Sequence, residues 1–282
     1  MKVNIVTDSS SGITPREAEE LGITVIPLNV IFDGVEYRDN IDIDNTVFYE
    51  KLKQAEKLPT TAQPSADRFV EVFGSQPEGP TVAILLSSKF SGTMQSASIA
   101  ASELPGRDIR LVDSGTVAIG LRILVMRAIQ LRDSGMDAGG IQLALEREKE
   151  EIVLMAVVDT LSYLHKGGRL SGTTALAGTL LGIKPVVTVK DGVIDVIGRE
   201  RGRDRAYKFL RDTAIGMGDV DCSRPYALGY TAYSDRIEDF RRILGEEAAP
   251  EGAFIDAMGS IIGTHAGPGV VATAYFKTGY ER

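Results

Sequence analysis

Short runs of β-branched and other aliphatic residues alternate with segments of helical periodicity along most of this chain. Residues 2–7, 81–86 and 109–113 have the composition of buried strands, and a segment with helix signals follows each of them. This alternation is typical of α/β proteins, in which crossover helices connect neighbouring parallel strands. It predicts a mostly parallel sheet in the N-terminal half of the chain.

Capping residues mark several of the predicted helix starts. The segment TPRE at 14–17 has the spacing of a capping box with proline in the first turn, and Gly22 supplies a stop. Asp44 and Ser65 are in position to cap two further helices. A long helix is predicted over residues 117–133.

The second half of the chain has a different pattern. It predicts a helix rich in Ala, Leu and Gly over 173–182 and a β-hairpin around Asp191-Gly192, where two alternating runs flank a strong turn signal. At about 150 residues per domain, the length allows two domains. We therefore predict a mostly parallel half at 1–151 and a mixed, hairpin-containing half at 152–282, which pack closely because no linker separates them.

Composition limits the classes of function. Thirty-one basic and thirty-nine acidic residues give a net charge of −8, which argues against a general nucleic-acid binder. The one cysteine, Cys222, cannot form an intramolecular disulfide. No apolar run is long enough for a membrane span or a secretion peptide. We therefore expect a soluble, cytoplasmic protein with no integral membrane segment.

Polar clusters follow two predicted strands. DSSSG at 8–12 follows the first strand, and SSKFSGT at 87–93 follows the strand over 81–86. Ligand sites of α/β sheets lie at these strand ends, where hydroxyls and free helix-start amides can hold an anion. For either cluster alone, a serine-rich loop with a helix cap is the simpler interpretation. PTTAQPS at 59–65 is predicted to be a rigid polar loop, because prolines flank it.

Two further polar segments lie in the second half. KGGR at 166–169 offers a close backbone approach and the bidentate fork of Arg169, which suits a carboxylate or phosphate. His265 lies in GTHAGPG at 263–269, among residues too small to form a packing core, so a functional role is as plausible as a structural one. His165 has no such setting and is predicted to be a surface residue.

Other chemistries lack their motifs. No GxGxxG loop follows a strand and no GxxxxGK[ST] loop exists, so nucleotide binding by these loops is unsupported. Asp39, Asp42 and Asp44 faintly suggest a calcium loop, but the required glycine and distal glutamate are missing; a helix cap and a solvated face account better for them. The cysteine and two distant histidines give no zinc spacing. We expect no cofactor and no metal.

Six blocks of the sequence resemble the DegV family of bacterial fatty-acid-binding proteins. They occur in the family's order and span nearly the whole chain: VTDSSSGIT at 6–14, PTTAQPS at 59–65, LSSKFSGTMQSA at 86–97, YLHKGGRLSG at 163–172, GIKPVVTVKDGVI at 182–194 and GTHAGPG at 263–269. The chain departs from the family pattern at Ala62, where a serine is usual, and at His165. The first departure removes one hydroxyl beside the expected head-group site.

This resemblance implies an architecture and a role. The architecture is an N-terminal α/β/α domain with a parallel sheet, a C-terminal α/β domain with a mixed sheet, and a ligand at their interface. The role is to bind a long-chain fatty acid and to present its carboxylate to a separate ATP-dependent fatty acid kinase, which makes the acyl phosphate. A carrier of this kind is not itself an enzyme.

The resemblance also implies the residues of the site. Thr61 and Ser91 are expected to hydrogen-bond the carboxylate, with His265 on the same head group and Arg169 supporting that polar end. Arg201, in the segment RERGR, matches a basic position linked in the family to docking of the kinase.

Two other classes of function stay open at this stage. One is a lipid esterase or thioesterase that uses Ser91 and His265, although no GxSxG elbow is present. The other is a regulatory protein that senses lipid and changes its partners on loading.

Overall fold

The computed structural model describes residues 2–170 and 181–278. The helix predicted over 173–182 lies outside these ranges except for residues 181 and 182. The described strands are β1 (Asn4–Asp8), β2 (Thr24–Ile26), β3 (Asn29–Phe32), β4 (Val35–Arg38), β5 (Thr60–Ala62), β6 (Thr81–Leu85), β7 (Ile109–Asp113), β8 (Ile152–Val157), β9 (Ile183–Lys190), β10 (Val193–Arg201), β11 (Ala227–Tyr230), β12 (Phe254–Ala257) and β13 (Val271–Phe276).

Helices connect and cover these strands. The described α-helices are α1 (Pro15–Leu21), α2 (Asn45–Gln54), α3 (Ala66–Ser75), α4 (Thr93–Glu103), α5 (Ile119–Asp133), α6 (Ala138–Glu148), α7 (Ser162–Lys166), α8 (Arg203–Met217), α9 (Asp235–Ala248) and α10 (Ser260–Ala266). The predicted caps are confirmed: Thr14 forms a capping box with Glu17, Asp44 caps α2 and Ser65 caps α3. Gly22 ends α1 in the left-handed conformation that favours glycine.

The N-terminal half contains the predicted parallel sheet, with the strand order β2-β1-β6-β7. It also contains a small antiparallel sheet that the sequence did not predict, with the order β4-β3-β5. The neighbouring strands β2 and β3 belong to different sheets. The segment predicted as a polar loop at 59–65 contributes strand β5, because residues 60–62 pair with β3.

The C-terminal half contains a six-stranded mixed sheet, with the order β10-β9-β8-β13-β11-β12. The hairpin predicted at Asp191-Gly192 is confirmed as β9 and β10, which pair antiparallel. Only β11 and β12 pair parallel within this sheet as described. The chain is therefore an α/β protein with one parallel and one mixed main sheet, as predicted.

Helix α5 lies between the two main sheets. It packs against β1 and β6 on one side and against β8, β11 and β13 on the other. One buried cluster accordingly joins side chains of both halves, for example Ile5, Leu124 and Ala274. A second cluster, with Phe240 and Leu210, fills the opposite face of the mixed sheet beneath α8 and α9. The shared core joins the two halves into one packed body.

Two helices differ from the sequence predictions. Helix α8 was not predicted, although its buried residues Ala206, Leu210 and Ala214 repeat with helical spacing. His265, placed by the sequence in a rigid glycine-proline loop, lies instead in the last turn of α10. Within the described residues, no helix is both long and apolar enough to cross a membrane.

Candidate functional site

A cavity of about 380 Å³ lies where the two halves meet. Its polar end is lined by Thr61 and Ser91 from the N-terminal half and by Arg169 and His265 from the C-terminal half. The four head-group residues expected from the resemblance therefore share one cavity, although they come from four distant segments. Its volume lies in the usual range for small-molecule sites, about 300–1,000 Å³.

Thr61 and His265 form the central pair of this polar end. The Oγ1 atom of Thr61 lies 2.8 Å from Nε2 of His265, so one of the two groups donates a hydrogen bond to the other. Thr61 is held by the pairing of β5 with β3, and His265 by helix α10. The small sheet thus brings a hydroxyl and an imidazole together across 204 positions of sequence.

His265 is neutral at physiological pH. Burial and, to a smaller extent, the positive charge of Arg169 lower its pKa to about 4. Its Nδ1 atom is buried without a hydrogen-bond partner among the described residues. A β-carbon on Gly167 would lie 2.5 Å from this atom, so glycine is required for the close approach of α7 to the imidazole. The site therefore offers a neutral imidazole that can exchange its present partner for a ligand.

Ser91 lies just before helix α4. Its hydroxyl is 2.9 Å from that of Thr93 and accepts a hydrogen bond from the backbone N–H of Thr93 at 3.3 Å. No side chain caps this helix. Gln63 packs against Gly92, where a β-carbon would lie 2.3 Å from Oε1. The cavity therefore meets a helix start that carries a hydroxyl and a side-chain amide.

Arg169 closes the polar end. Its Nε donates to the carbonyl of Phe90 at 3.2 Å, and its Nη1 donates to the carbonyl of Gly167 at 2.5 Å. These bonds fix the guanidinium across the boundary between the two halves, because Phe90 belongs to the N-terminal half. The Nη2 group makes no hydrogen bond to residues 2–170 or 181–278.

An apolar chamber continues from this cavity. Val117, Leu164 and Ile194 line both spaces, so the two are adjacent. The chamber has a volume of about 70 Å³, and apolar side chains form nearly all of its wall. A polar entrance followed by an apolar interior matches an amphiphile with an anionic head.

One face of the mixed sheet forms the end wall of the chamber. Leu154, Ala156 and Val158 of the β8 segment line it, whereas the intervening Met155 and Val157 belong to the core on the opposite face. This alternation follows from the two-residue period of a strand. This side of the chamber is therefore bounded largely by a strand.

The cluster at 8–12, predicted as an anion site, instead supports the cavity wall. The Oγ atom of Ser9 accepts a hydrogen bond from the N–H of Leu28 at 3.1 Å, and Oδ2 of Asp8 accepts one from the N–H of Leu86 at 2.8 Å. Leu28 and Leu86 both line the cavity. Its polar groups are buried and internally engaged, and Asp8 caps the short helical turn over Ser9–Ser11. The simpler interpretation, a serine-rich loop with a helix cap, is therefore confirmed.

Asp39 also differs from its prediction as part of a solvated face, because it is only 2% exposed. Its Oδ1 accepts hydrogen bonds from the hydroxyl and the N–H of Ser260, at 2.5 and 3.3 Å. Asn45 and Tyr49 hold the preceding carbonyls of residues 257 and 258. The start of α10, and through it the placement of His265, is thus fixed by the N-terminal half.

The other predicted positions lie outside the cavity. Arg201 is exposed at the end of β10, and His165 is exposed on α7, as predicted for a surface residue. Ser88 and Lys89 line the cavity but were not singled out in the sequence. Both belong to the segment SSKFSGT at 87–93, so the sequence already indicated that they lie near the site. The prediction from that segment depended only on its hydroxyl groups.

Comparisons with known proteins identify one family across the chain. A family model described as "Uncharacterised protein, DegV family" matches residues 2–278. A DegV domain-containing protein of Caldanaerobacter subterraneus subsp. tengcongensis is 35% identical over 95% of this chain and 96% of its own length.

Solved structures share the fold over the full length. A structure described as fatty acid binding of a DegV family protein from Thermus thermophilus is 32% identical, covers 98% of this chain and 100% of its own, and superposes with a TM-score of 0.87. A stearic acid-binding protein from Eubacterium ventriosum is 26% identical, covers 97% and 98%, and gives a TM-score of 0.86.

Proposed function

The chain belongs to the DegV family, and we propose that it binds one long-chain fatty acid at the boundary of its two domains, 1–151 and 152–282. The carboxylate lies among Thr61, Ser91, His265 and Arg169, and the acyl chain enters the apolar chamber. The observation that carries this proposal is the continuity of the two spaces, one polar and one apolar, through shared wall residues. The stearic acid bound by a relative has the same amphiphilic chemistry.

The energetics require both ends of the site. Burial of a sixteen-carbon tail contributes about 0.8 kcal/mol per methylene, on the order of 11 kcal/mol in total. Association costs roughly 4–15 kcal/mol, and a buried carboxylate without partners would cost several kcal/mol more. Binding is therefore tight only where hydrogen-bond donors meet the head group. The hydroxyls of Thr61 and Ser91 and the guanidinium of Arg169 supply them.

We further propose that the bound carboxylate is the substrate of a separate kinase. A carboxylate oxygen forms a bond to the γ-phosphorus of ATP, the bond from that phosphorus to the β,γ-bridging oxygen breaks, and ADP leaves with the electron pair. The chain itself is then a carrier rather than an enzyme, and its place is the cytoplasm, where ATP is available. Arg201 supplies a docking contact: it lies among exposed arginines at 199, 203 and 205, a local basic surface on an acidic protein.

The esterase alternative is less consistent with the geometry. A serine nucleophile needs a base within hydrogen-bond reach, and that base needs a third group to orient it. His265 is bonded to Thr61 rather than to Ser91, and its Nδ1 has no orienting partner among the described residues. Its lowered pKa also makes this imidazole a weak base, so the arrangement suits ligand binding better than base catalysis.

Native mass spectrometry of the purified protein tests the ligand. We expect one fatty acid of fourteen to eighteen carbons per chain, identified after denaturation. The double variant Thr61→Ala/Ser91→Ala should be purified without lipid, because the loss of two charge-assisted hydrogen bonds weakens binding by about 3 kcal/mol or more. Ser102→Ala, at an exposed position on α4, is the matched control and should keep its lipid. A wild-type mass without ligand, unchanged after incubation with palmitate, would contradict the proposal.

A second measurement tests the docking role of Arg201. With a fatty acid kinase catalytic subunit and ATP, Arg201→Ala should form acyl phosphate about tenfold more slowly at low salt, because an interface charge mainly changes the rate of association. Its fatty acid occupancy should be unchanged. Arg16→Ala is the control, since Arg16 is exposed and, among the described residues, forms an ion pair only with its helix neighbour Glu20. Equal rates for wild type and Arg201→Ala would exclude the docking role.

A further inference from the structure

A polar cleft adjoins the head-group cavity. It has a volume of about 410 Å³ and lies at the carboxyl ends of β6 and β7, against the turn between β9 and β10. Ser88 and Lys89 line both the cleft and the cavity. A group attached to the carboxylate would therefore have a continuous path into the cleft past these two side chains.

The fold fixes the stem of Lys89 at this junction. Ser87 donates a hydrogen bond to the carbonyl of Gly192 at 3.1 Å, which joins the loop after β6 to the tip of the hairpin. A β-carbon on Gly192 would lie 3.1 Å from Cγ of Lys89, so the lysine stem packs directly on the hairpin backbone. The position of Lys89 thus depends on both halves of the protein.

Two other charged residues of the cleft are engaged by protein groups. Lys149 donates to the carbonyl of Asp113 and pairs with Glu146. The carboxylate of Asp113 accepts hydrogen bonds from the N–H groups of Ser88 and Gly115. Glu150, Lys190 and Asp191 also line the cleft but do not line the head-group cavity, so Lys89 is the lysine that the two spaces share.

Lys89 differs from these residues. Its ammonium makes no ion pair or hydrogen bond within residues 2–170 and 181–278, whereas Arg169 already donates two of its N–H groups to backbone carbonyls. His265 adds no charge, since it is neutral. Among the described residues that line the head-group cavity, Lys89 therefore carries the positive charge that has no partner.

We infer that Lys89 recognises the phosphoryl group of an acyl phosphate and so distinguishes the phosphorylated ligand from the free fatty acid. This inference rests on the proposed function. Phosphorylation of a carboxylate raises the ligand's negative charge from one to about two at neutral pH. Arg169 suffices for the first charge, and the second needs a further cation on the side where the phosphorus is attached. Lys89 lies on that side, with the hydroxyl of Ser88 beside it as a further donor.

The test compares two ligands on protein stripped of lipid. The probes are hexadecanoic acid and 2-oxoheptadecylphosphonate, in which a methylene replaces the bridging oxygen of hexadecanoyl phosphate. Titration calorimetry should show that Lys89→Gln weakens binding of the phosphonate about fivefold, a size typical of one partly exposed charge-assisted contact. Its affinity for hexadecanoic acid should stay within about twofold of wild type. Lys89→Arg should retain phosphonate binding, and Lys166→Gln, at an exposed position that lines neither space, should change neither affinity.

The outcomes separate this inference from the proposed function. If Lys89→Gln and wild type bind the phosphonate equally while both bind hexadecanoic acid, the role of Lys89 is overturned and the fatty acid site stands. An equal loss for both ligands would also overturn it, because Lys89 would then serve the carboxylate. If wild type binds neither ligand, the proposed function itself fails, and the inference fails with it.

Discussion

Ala156→Phe is expected to weaken binding of hexadecanoic acid by about 200-fold or more, while decanoic acid binds within about threefold of wild type. Ala156 lines the apolar chamber and does not line the head-group cavity. A phenyl group at this position occupies the space of the distal acyl chain. If four methylenes are excluded from apolar surroundings, about 3 kcal/mol of binding free energy is lost.

The geometry of the mixed sheet makes this substitution selective. Ala156 pairs with Val187 of β9 and Ala272 of β13, and all three line the chamber. Their side chains stand on one face of the sheet, and the opposite face packs against α8 and α9. A larger residue therefore extends into the ligand space and leaves the core beneath α8 and the distant head-group contacts unchanged.

A graded series gives the control. Ala156→Val adds less volume than Ala156→Phe and suits a strand. Its affinity for hexadecanoic acid should therefore lie between those of wild type and Ala156→Phe. Competition titrations with saturated acids of ten to eighteen carbons measure the preference, and urea unfolding verifies that each variant is folded. If Ala156→Phe keeps the chain-length preference of wild type, the acyl chain does not occupy this chamber.

Local signals explain what the sequence could predict. The capping box at Thr14, the caps at Asp44 and Ser65 and the hairpin at Asp191-Gly192 each depend on residues a few positions apart, so they can be identified without knowledge of the tertiary fold. The polar residues of the site could be grouped because they belong to blocks that resemble a known family. Their convergence, with Thr61 beside His265, required the structure.

Long-range partners explain what the sequence could not predict. The sequence predicts a solvated Asp39, because its hydrogen-bond partner Ser260 lies 221 positions away and no local pattern indicates their contact. The sequence predicts a loop at β5, because the strand pairs with β3 across an intervening helix and the pairing has no local signal. Every residue of β8 is apolar, since the strand is covered on both faces. Periodicity therefore gives no indication that Ala156 faces the chamber and Met155 faces the core.

A buried carboxyl group at the boundary of the two halves governs a second large effect. Asp256 of β12 is 6% exposed, and its Oδ1 lies 3.6 Å from Nη1 of Arg122, beyond hydrogen-bond distance. Arg122 donates instead to Glu17, at 2.6 Å. Gly12 approaches so closely that a β-carbon there would lie 2.2 Å from Oδ2 of Asp256. Asp256 is thus enclosed without a compensating hydrogen bond among the described residues.

This environment raises the pKa of Asp256 to about 7. Burial is the largest cause, the charge of Arg122 opposes it, and the carboxylates of Glu17 and Asp39 add to it. The folded state therefore binds more protons than the unfolded state between about pH 4 and pH 7. The stability that this group contributes is present at low pH and is lost as the pH rises through 7.

Asp256→Asn should remove this dependence. Relative to wild type, the variant should gain about 2–3 kcal/mol of unfolding free energy between pH 5 and pH 8, because asparagine never pays the cost of ionisation in the enclosed site. Urea titrations of both proteins at the two pH values measure the difference. Subtraction cancels the contributions of Asp8, whose pKa is raised in the same direction, and of His265, whose pKa is lowered. If the free energies of unfolding of the two proteins change equally with pH, Asp256 ionises in the folded state as readily as in water. The carboxyl group would then not be enclosed in solution.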